Sequence, residues 1–229
     1  MAAMARRPEQ QVLVPELADD RAKALELVDV SRETIELLDR FVEFLLPWTQ
    51  KTNLIARSTI PTLWTRHIAD SAQLLAQAPE AKVWIDLGPG AGFPGLVIAC
   101  ALAGRRGAAV HLVESVGKKA NFLRAAAEHL GVPAVIHNVR IEDFGKNFKE
   151  DADVVSARAL APLDKLLHLA SPMLHGKAVG LFPKGQDVDA ELTGASKYWN
   201  IETELVPSLT SRDSRIVVVR KLAPRHLKM

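Results

Sequence analysis

Between Trp84 and Gly95 the chain reads WIDLGPGAGFPG, with four glycines and two prolines in the eight positions from Gly88 to Gly95. No helix interior or central strand is built that way, because glycine loses too much backbone entropy on ordering and proline has no N–H to give. Apolar runs lie on both sides. The stretch therefore reads as a turn where bare backbone approaches something closely. A strand before it and a helix starting near Leu96 would place that backbone at the carboxyl edge of a sheet, with helix N–H groups facing a ligand.

The rest of the chain supplies the sheet. AKVWIDL, AAVHLVES, PAVIHN, ADVVSA and GKAVGLF are short β-rich runs separated by helical stretches such as KKANFLRAAAEHLG and LDKLLHLASPML. Strands alternating with helices at that interval imply right-handed crossovers and a mainly parallel sheet. IETELVP and RIVVVRK flank SLTSRDS with no room for a crossover helix, so they are expected to pair antiparallel at one edge.

The first third reads as helical. Residues 1–20 look like a frayed, proline-containing lead-in. SRETIELLDRFVEFLL puts Leu38, Phe41, Val42 and Leu45 on one face, and Pro47 is expected to stop that helix. STIPTLWTRHIADSAQLLAQA repeats the pattern with Trp64, Ile68, Ser71, Leu75 and Ala78, capped by Ser58 or Thr59. Residues 1–78 are thus expected to form a helical extension packed on a domain spanning 79–229.

Composition excludes several classes. The only cysteine is Cys100, so a disulfide framework or thiolate zinc cluster is ruled out and no metal site is expected. The longest apolar run, Leu96 to Ala103, is too short to span a bilayer, and MAAMARRPEQQ lacks the apolar stretch of a secretory leader. A cytoplasmic protein without membrane partners is expected. The net charge of +2 neither demands nor excludes nucleic acid, but the tail VVVRKLAPRHLKM is basic throughout. It reads equally well as a solvated tail or as an RNA contact.

Two nucleotide-type ligands compete for the glycine stretch. GAGFPG matches the dinucleotide fingerprint letter for letter, and a nicotinamide-dependent oxidoreductase follows from that reading. There, however, the first glycine closes the strand directly, whereas here Gly88-Pro89 intervenes. DLGPGAGFPG instead resembles the motif of class I AdoMet-dependent methyltransferases, in which an acidic residue precedes G-x-G-x-G. Asp86, at the end of the strand, is expected to turn its carboxylate toward a cationic or hydroxyl-bearing ligand. Glu114, closing the second strand, suits ribose hydroxyls in either class. The terminal antiparallel pair is typical of the methyltransferase sheet. This leaves an RNA or a small molecule as the substrate.

Longer strings narrow the resemblance. GFPG, ESVGKKANFLRAAAEHLG, VRIEDF, VSARAL and FPKG, with TNLIARSTIPTLWTRHIADSAQLL upstream, run in one order from about Leu37 to Lys221. Together they resemble the bacterial small-subunit rRNA methyltransferase family called RsmG or GidB. The resemblance implies an α/β class I methyltransferase (Rossmann-like) with a seven-stranded sheet and a C-terminal antiparallel hairpin. It implies AdoMet as cofactor and N7 of a guanine in 16S ribosomal RNA or the small subunit as target; a monomer is expected.

Gly88, Gly90 and Gly92 are the cofactor-binding glycines of the methyltransferase motif. Carried over residue by residue, the family's AdoMet-binding positions fall on Gly88 and Phe93, on Ile141 and Glu142 beside the adenine, and on Arg158 beside the methyl donor. Ala157 stands between Ser156 and Arg158 where the family pattern reads Ser-Arg directly. Arg158 and Ser156 are the positioning candidates, and no nucleophile–base constellation is evident. For RNA the candidates are Arg66 and His67 at the cofactor mouth, Lys184 after the fifth strand, and Arg225 and Lys228 in the tail. Arg66 and Asp70 are read as an i,i+4 surface pair.

Overall fold

The computed structural model describes residues 8–225, and side chains from residue 17 onward; Lys228 lies outside this range. Seven strands form one sheet: β1 (Val83–Leu87), β2 (Ala109–Val113), β3 (Ala134–His137), β4 (Val154–Ser156), β5 (Val179–Lys184), β6 (Trp199–Pro207) and β7 (Arg215–Pro224). Their order is β3-β2-β1-β4-β5-β7-β6. The first five are parallel, while β7 pairs antiparallel with both β5 and β6. Every strand expected from the sequence forms, and the chain order reverses between β1 and β4, the place where such sheets bind ligands.

Alternation along the strands divides the interior. Trp84, Leu112, Val154 and Leu181 point into one core, and Ile85, Leu87, Val113 and Val155 into the other. The first core is covered by α4 (Gly95–Ala101), α5 (Gly117–Leu130) and the N-terminal helices. The second is covered by α6 (Ile141–Asn147), α7 (Leu163–Ala170) and α8 (Val188–Ala195).

The N-terminal third departs from its sequence pattern in three ways. Residues 8–27 are a helix, α1 (Pro8–Leu27), rather than a frayed lead-in. It is docked by polar contacts that periodicity does not reveal: buried Asp20 accepts the N–H groups of Trp64 and Thr65 at 2.8 and 3.1 Å, and Arg21 forks onto Asp39 at 2.6 and 2.7 Å.

Next, α2 (Arg32–Thr52), capped by the Ser31 hydroxyl, runs through Pro47. Packing overrides the missing N–H, because Phe44 and Trp48 flank that turn and both rest on Phe122. Finally, residues 57–77 are a mixture, not one α-helix. A 3-10 turn (Arg57–Thr62) leads into a π turn (Trp64–Ala69), the short α3 (Asp70–Ala72) and a second 3-10 turn (Gln73–Gln77). Trp64, Ile68 and Ser71 are buried as expected. The tighter last turn brings Leu74 inward in place of Leu75.

Candidate active site

The glycine stretch leaves β1 and enters α4 with Gly88, Gly90 and Gly92 all at positive φ (68°, 58° and 97°), which explains why glycine stands there. Gly92 and Gly95 are closed in by Leu96 and by Leu112 and Asp86, so their missing side chains serve packing. Gly90 differs: a Cβ there would meet nothing within 4 Å. Its N–H donates to Glu114 Oε2 at 3.2 Å, and Glu114 Oε1 accepts the Val116 N–H at 2.8 Å.

Glu114, Gly88 and Ile141, with Lys119 and Leu160, line a small cleft of about 210 Å³ over the ends of β1 and β2. Three of the expected cofactor residues meet there, and Gly90 is joined to one of them, Glu114, by its N–H. Glu142 lies one residue further along α6, exposed and away from this lining.

Two expected ligand contacts are turned inward instead. Asp86 has no exposed surface; it accepts the Gly95 N–H at 2.7 Å and the Ser156 hydroxyl at 3.0 Å. The carboxylate expected to face a ligand therefore faces the loop and fixes where α4 begins. Burial pushes its pKa up to about 7, against the two hydrogen bonds and the Arg158 charge, which favour ionisation. Ser156 is also fully buried and takes the indole N–H of Trp84 at 2.8 Å, so its hydroxyl joins β4 to β1 rather than pointing at a substrate.

On the β4–β5 side lies a larger cleft of about 850 Å³, walled by the π turn, the β4–α7 segment and the turn between β6 and β7. Ala159 lines both clefts and, unusually for a non-glycine residue, has φ 52°. Strain of that kind is held by its surroundings and collects at working sites.

Arg158, next to it, is held from three directions. It donates to the Arg66 carbonyl at 2.9 Å, to Asp70 Oδ2 at 3.1 Å and to His67 Nδ1 at 2.8 Å. Asp70 thus pairs with Arg158, not with Arg66. The guanidinium carbon also stands 5.3 Å from the Phe93 ring centre, and His67 stacks on that ring at 4.9 Å. Phe93 is itself buried, so it supports Arg158 rather than exposing a face to a ligand. Since Nδ1 of His67 accepts from Arg158, its proton is on Nε2, directed at Thr59 Oγ1 3.1 Å away. Burial, then the charges of Arg158 and Arg66, drive the His67 pKa down to about 3.

The RNA candidates separate. Arg66 and His67 line the large cleft. Lys184 also borders it, but its ammonium is spent on Glu191 and the Ala161 carbonyl, each at 2.7 Å, and its side chain is only 10% exposed. It fixes the wall and is not a free phosphate contact. Arg225 donates to the Ser196 carbonyl beyond the far end of β7, roughly 30 Å along the strand from the cleft.

The cation that sequence reasoning missed is Arg215. It begins β7 and pairs in register with Lys184, which puts it in the cleft beside Ser208, Thr210, Ser211 and Ser214. Only the order of strands reveals it.

The comparisons with known proteins agree with this architecture. Residues 34–217 match the family model GidB, described as rRNA small subunit methyltransferase G. A Ribosomal RNA small subunit methyltransferase G of a Bradyrhizobium species is 54% identical over 203 residues, covering 89% of this chain and 91% of the relative. One from Nitrobacter hamburgensis is 53% identical over 216 residues, covering 94% and 83%.

Among solved structures, an O-methyltransferase from Bacillus cereus in complex with SAH superposes with TM-score 0.55 at 14% identity, covering 79% of this chain and 90% of that one. A SAM dependent methyltransferase from Aquifex aeolicus gives 0.54 at 12%, covering 69% and 92%. Those two likenesses carry the fold; the sequence matches carry the family. The chain belongs to the GidB family of rRNA small subunit methyltransferases.

Proposed function

We infer that the chain methylates N7 of a guanine in 16S ribosomal RNA, with AdoMet as methyl donor. The small cleft fits the cofactor on its own chemistry: positive-φ backbone at Gly88, carboxylate oxygens of Glu114 and the apolar side chain of Ile141 at its border, with open space over nearby Gly90. When bound, AdoMet supplies a methyl group on a positively charged sulfur.

One observation carries the choice of N7. Every group lining the large cleft that is able to take a proton is paired with a cation, which disfavours its taking one. His67 gives its lone pair to Arg158. Asp70 accepts from Arg158, Thr210 and Gln73. Glu191 accepts from Lys184 and the Leu163 N–H. An exocyclic amine or a ribose hydroxyl must lose a proton on methylation and needs such a base. Guanine N7 carries a lone pair outside the ring π system and has no proton to lose, so positioning and exclusion of water suffice.

Arg158, locked by three acceptors and an aromatic ring, is the residue that positions. Its preset guanidinium suits the O6 edge of the base or a carboxylate. Arg66 and Arg215 supply the positive rim for phosphates.

The test is single-turnover methyl transfer to small ribosomal subunits and to naked 16S RNA from about pH 6 to 9, a range in which N7 keeps its lone pair. A nearly flat rate is expected, with product RNA that borohydride and aniline cleave at the modified guanine. Methylated RNA that resists cleavage would overturn the N7 assignment.

A further inference from the structure

The N-terminal extension and the C-terminal hairpin meet at one buried amide. Gln73, in the second 3-10 turn, is only 4% exposed. Its Oε1 accepts the N–H of Leu209 at 2.8 Å, and its Nε2 donates to Asp70 Oδ1 at 2.9 Å and faces the Ser208 hydroxyl at 3.2 Å. Asp70 Oδ1 accepts a second contact, the Thr210 hydroxyl at 2.8 Å, while Asp70 Oδ2 holds Arg158. One chain of hydrogen bonds thus runs from the tip of the β6–β7 turn through Gln73 and Asp70 to the guanidinium at the junction of the two clefts.

Neither strand pairing nor apolar burial accounts for this arrangement. The turn spans Ser208–Ser214, exposes Leu209, Ser211, Arg212 and Asp213, and forms one wall of the large cleft with Thr210, Ser211, Ser214 and Arg215. A turn of that kind is mobile unless something ties it down. The tie has to accept from a backbone N–H and donate to a carboxylate at the same time. An amide does both, and a carboxylate of the same shape does only the first.

We propose that Gln73 is a positioning residue, which latches the β6–β7 turn to Asp70 and so sets the width of the RNA channel and the pose of Arg158. The proposal rests on the reading of the large cleft as the RNA side. Gln73 touches neither cleft-bound partner; it acts through Leu209, Thr210 and Asp70. The Glu variant places a second carboxylate against Asp70 and removes the donor, so the turn is released while the cofactor cleft, on the other side of Ala159, is left alone.

The experiment compares Gln73→Glu with Thr210→Val, which removes the parallel link from the turn to Asp70 Oδ1 and does not threaten the core. Hydrogen exchange over residues 208–214 reads the latch whether or not the protein methylates RNA. Exchange at least about tenfold faster in Gln73→Glu is expected, since buried partners of this kind lose about that factor when one is removed.

In methyl transfer to small subunits, KM for the RNA is expected to rise about tenfold with kcat lowered less and AdoMet affinity unchanged. The double variant is expected to cost more than either single one, because Gln73 and Thr210 join the turn to Asp70 Oδ1 through separate hydrogen bonds. Unchanged exchange in the turn of Gln73→Glu would overturn the latch. Faster exchange with RNA KM within about twofold would overturn its role in the channel. An AdoMet affinity that falls in parallel would do the same. If wild-type protein methylates no RNA, the functional reading fails, and the exchange result still decides the latch.

Discussion

The two clefts on either side of Ala159 are built from different materials. The small one is built on backbone and two carboxylates, with glycines at positive φ, an N–H given to Glu114 and a buried Asp86 that fixes the loop from beneath. Lys119, Ile141 and Leu160 close its sides. The large one is made of side chains from distant segments, Arg66 and His67 from the π turn, Arg158 after β4, Arg215 at the start of β7. The glycine turn at the heart of the small cleft is local in sequence and is legible as a motif. A side-chain site is assembled by topology, and its residues carry no mutual spacing to read.

That contrast is open to test, and the largest expected effect is at Gly90. Gly90→Val sets a branched side chain at φ 58° in the space left for the cofactor. AdoMet affinity measured by calorimetry is expected to fall beyond roughly a hundredfold, with RNA affinity within about twofold, because the strain and the obstruction stay on one side of Ala159. Equal losses for both ligands would show that the clefts are one site.

Arg158→Ala breaks the contrast from the opposite side. It strips partners from Asp70 and His67 together and is expected to lower kcat/KM for methyl transfer by about a hundredfold, the scale for removing a charged group whose partners stay behind. The decisive reading is whether AdoMet affinity follows. A parallel fall would move Arg158 to the cofactor side.

The supports of the two clefts also differ in sign against pH. Asp86, with its pKa raised to about 7 from an ordinary 3.8, keeps a proton when folded that the unfolded chain has lost, so its contribution to stability falls as pH rises through that window. His67, lowered to about 3 from 6.5, does the reverse: its contribution is complete above 6.5 and is lost as pH falls toward 3. For Asp86→Asn, the unfolding free energy relative to wild type is expected to rise with pH between 4 and 7, by about 1.4 kcal/mol per unit at most. For His67→Gln it is expected to fall with rising pH. Denaturant titrations across that range check both, and like signs would refute the assignment of charges.

The smallest effects separate the rim from the tail. Arg215→Ala is expected to weaken RNA binding a few-fold and to reduce the salt slope by about one, as for a single lost phosphate contact. Arg225→Ala, beyond the opposite end of β7, is expected to leave both unchanged. A slope that drops for Arg225→Ala alone would return RNA to the tail.

All seven strands, the antiparallel end and the position of the glycine turn were legible, since alternation and turn residues act within a few positions. The ligand side of the sheet followed from the same signals. The helix through Pro47 was not legible, because the aromatic contacts of Phe44 and Trp48 with Phe122 outweigh a local penalty. Nor was α1, whose docking rests on Asp20 and Arg21 as hydrogen-bonding groups rather than on an apolar stripe. The mixed 57–77 segment kept its predicted face at Trp64, Ile68 and Ser71 and lost it where the pitch changed.

What the sequence determined alone is the strand–turn–helix unit from Val83 to Ala101, with its glycines, and the family that its strings resemble. Those features are local, and an L-residue has no cheap way to replace a glycine at positive φ. Tertiary structure decided which charges are free. Asp86, Ser156 and Lys184 read as ligand contacts until the fold buries each against a partner, while Arg215, unremarked in its own segment, arrives in the cleft because β7 pairs antiparallel with β5. A charged side chain's role is set by what neutralises it, and those partners lie from seven to some ninety residues away in the chain.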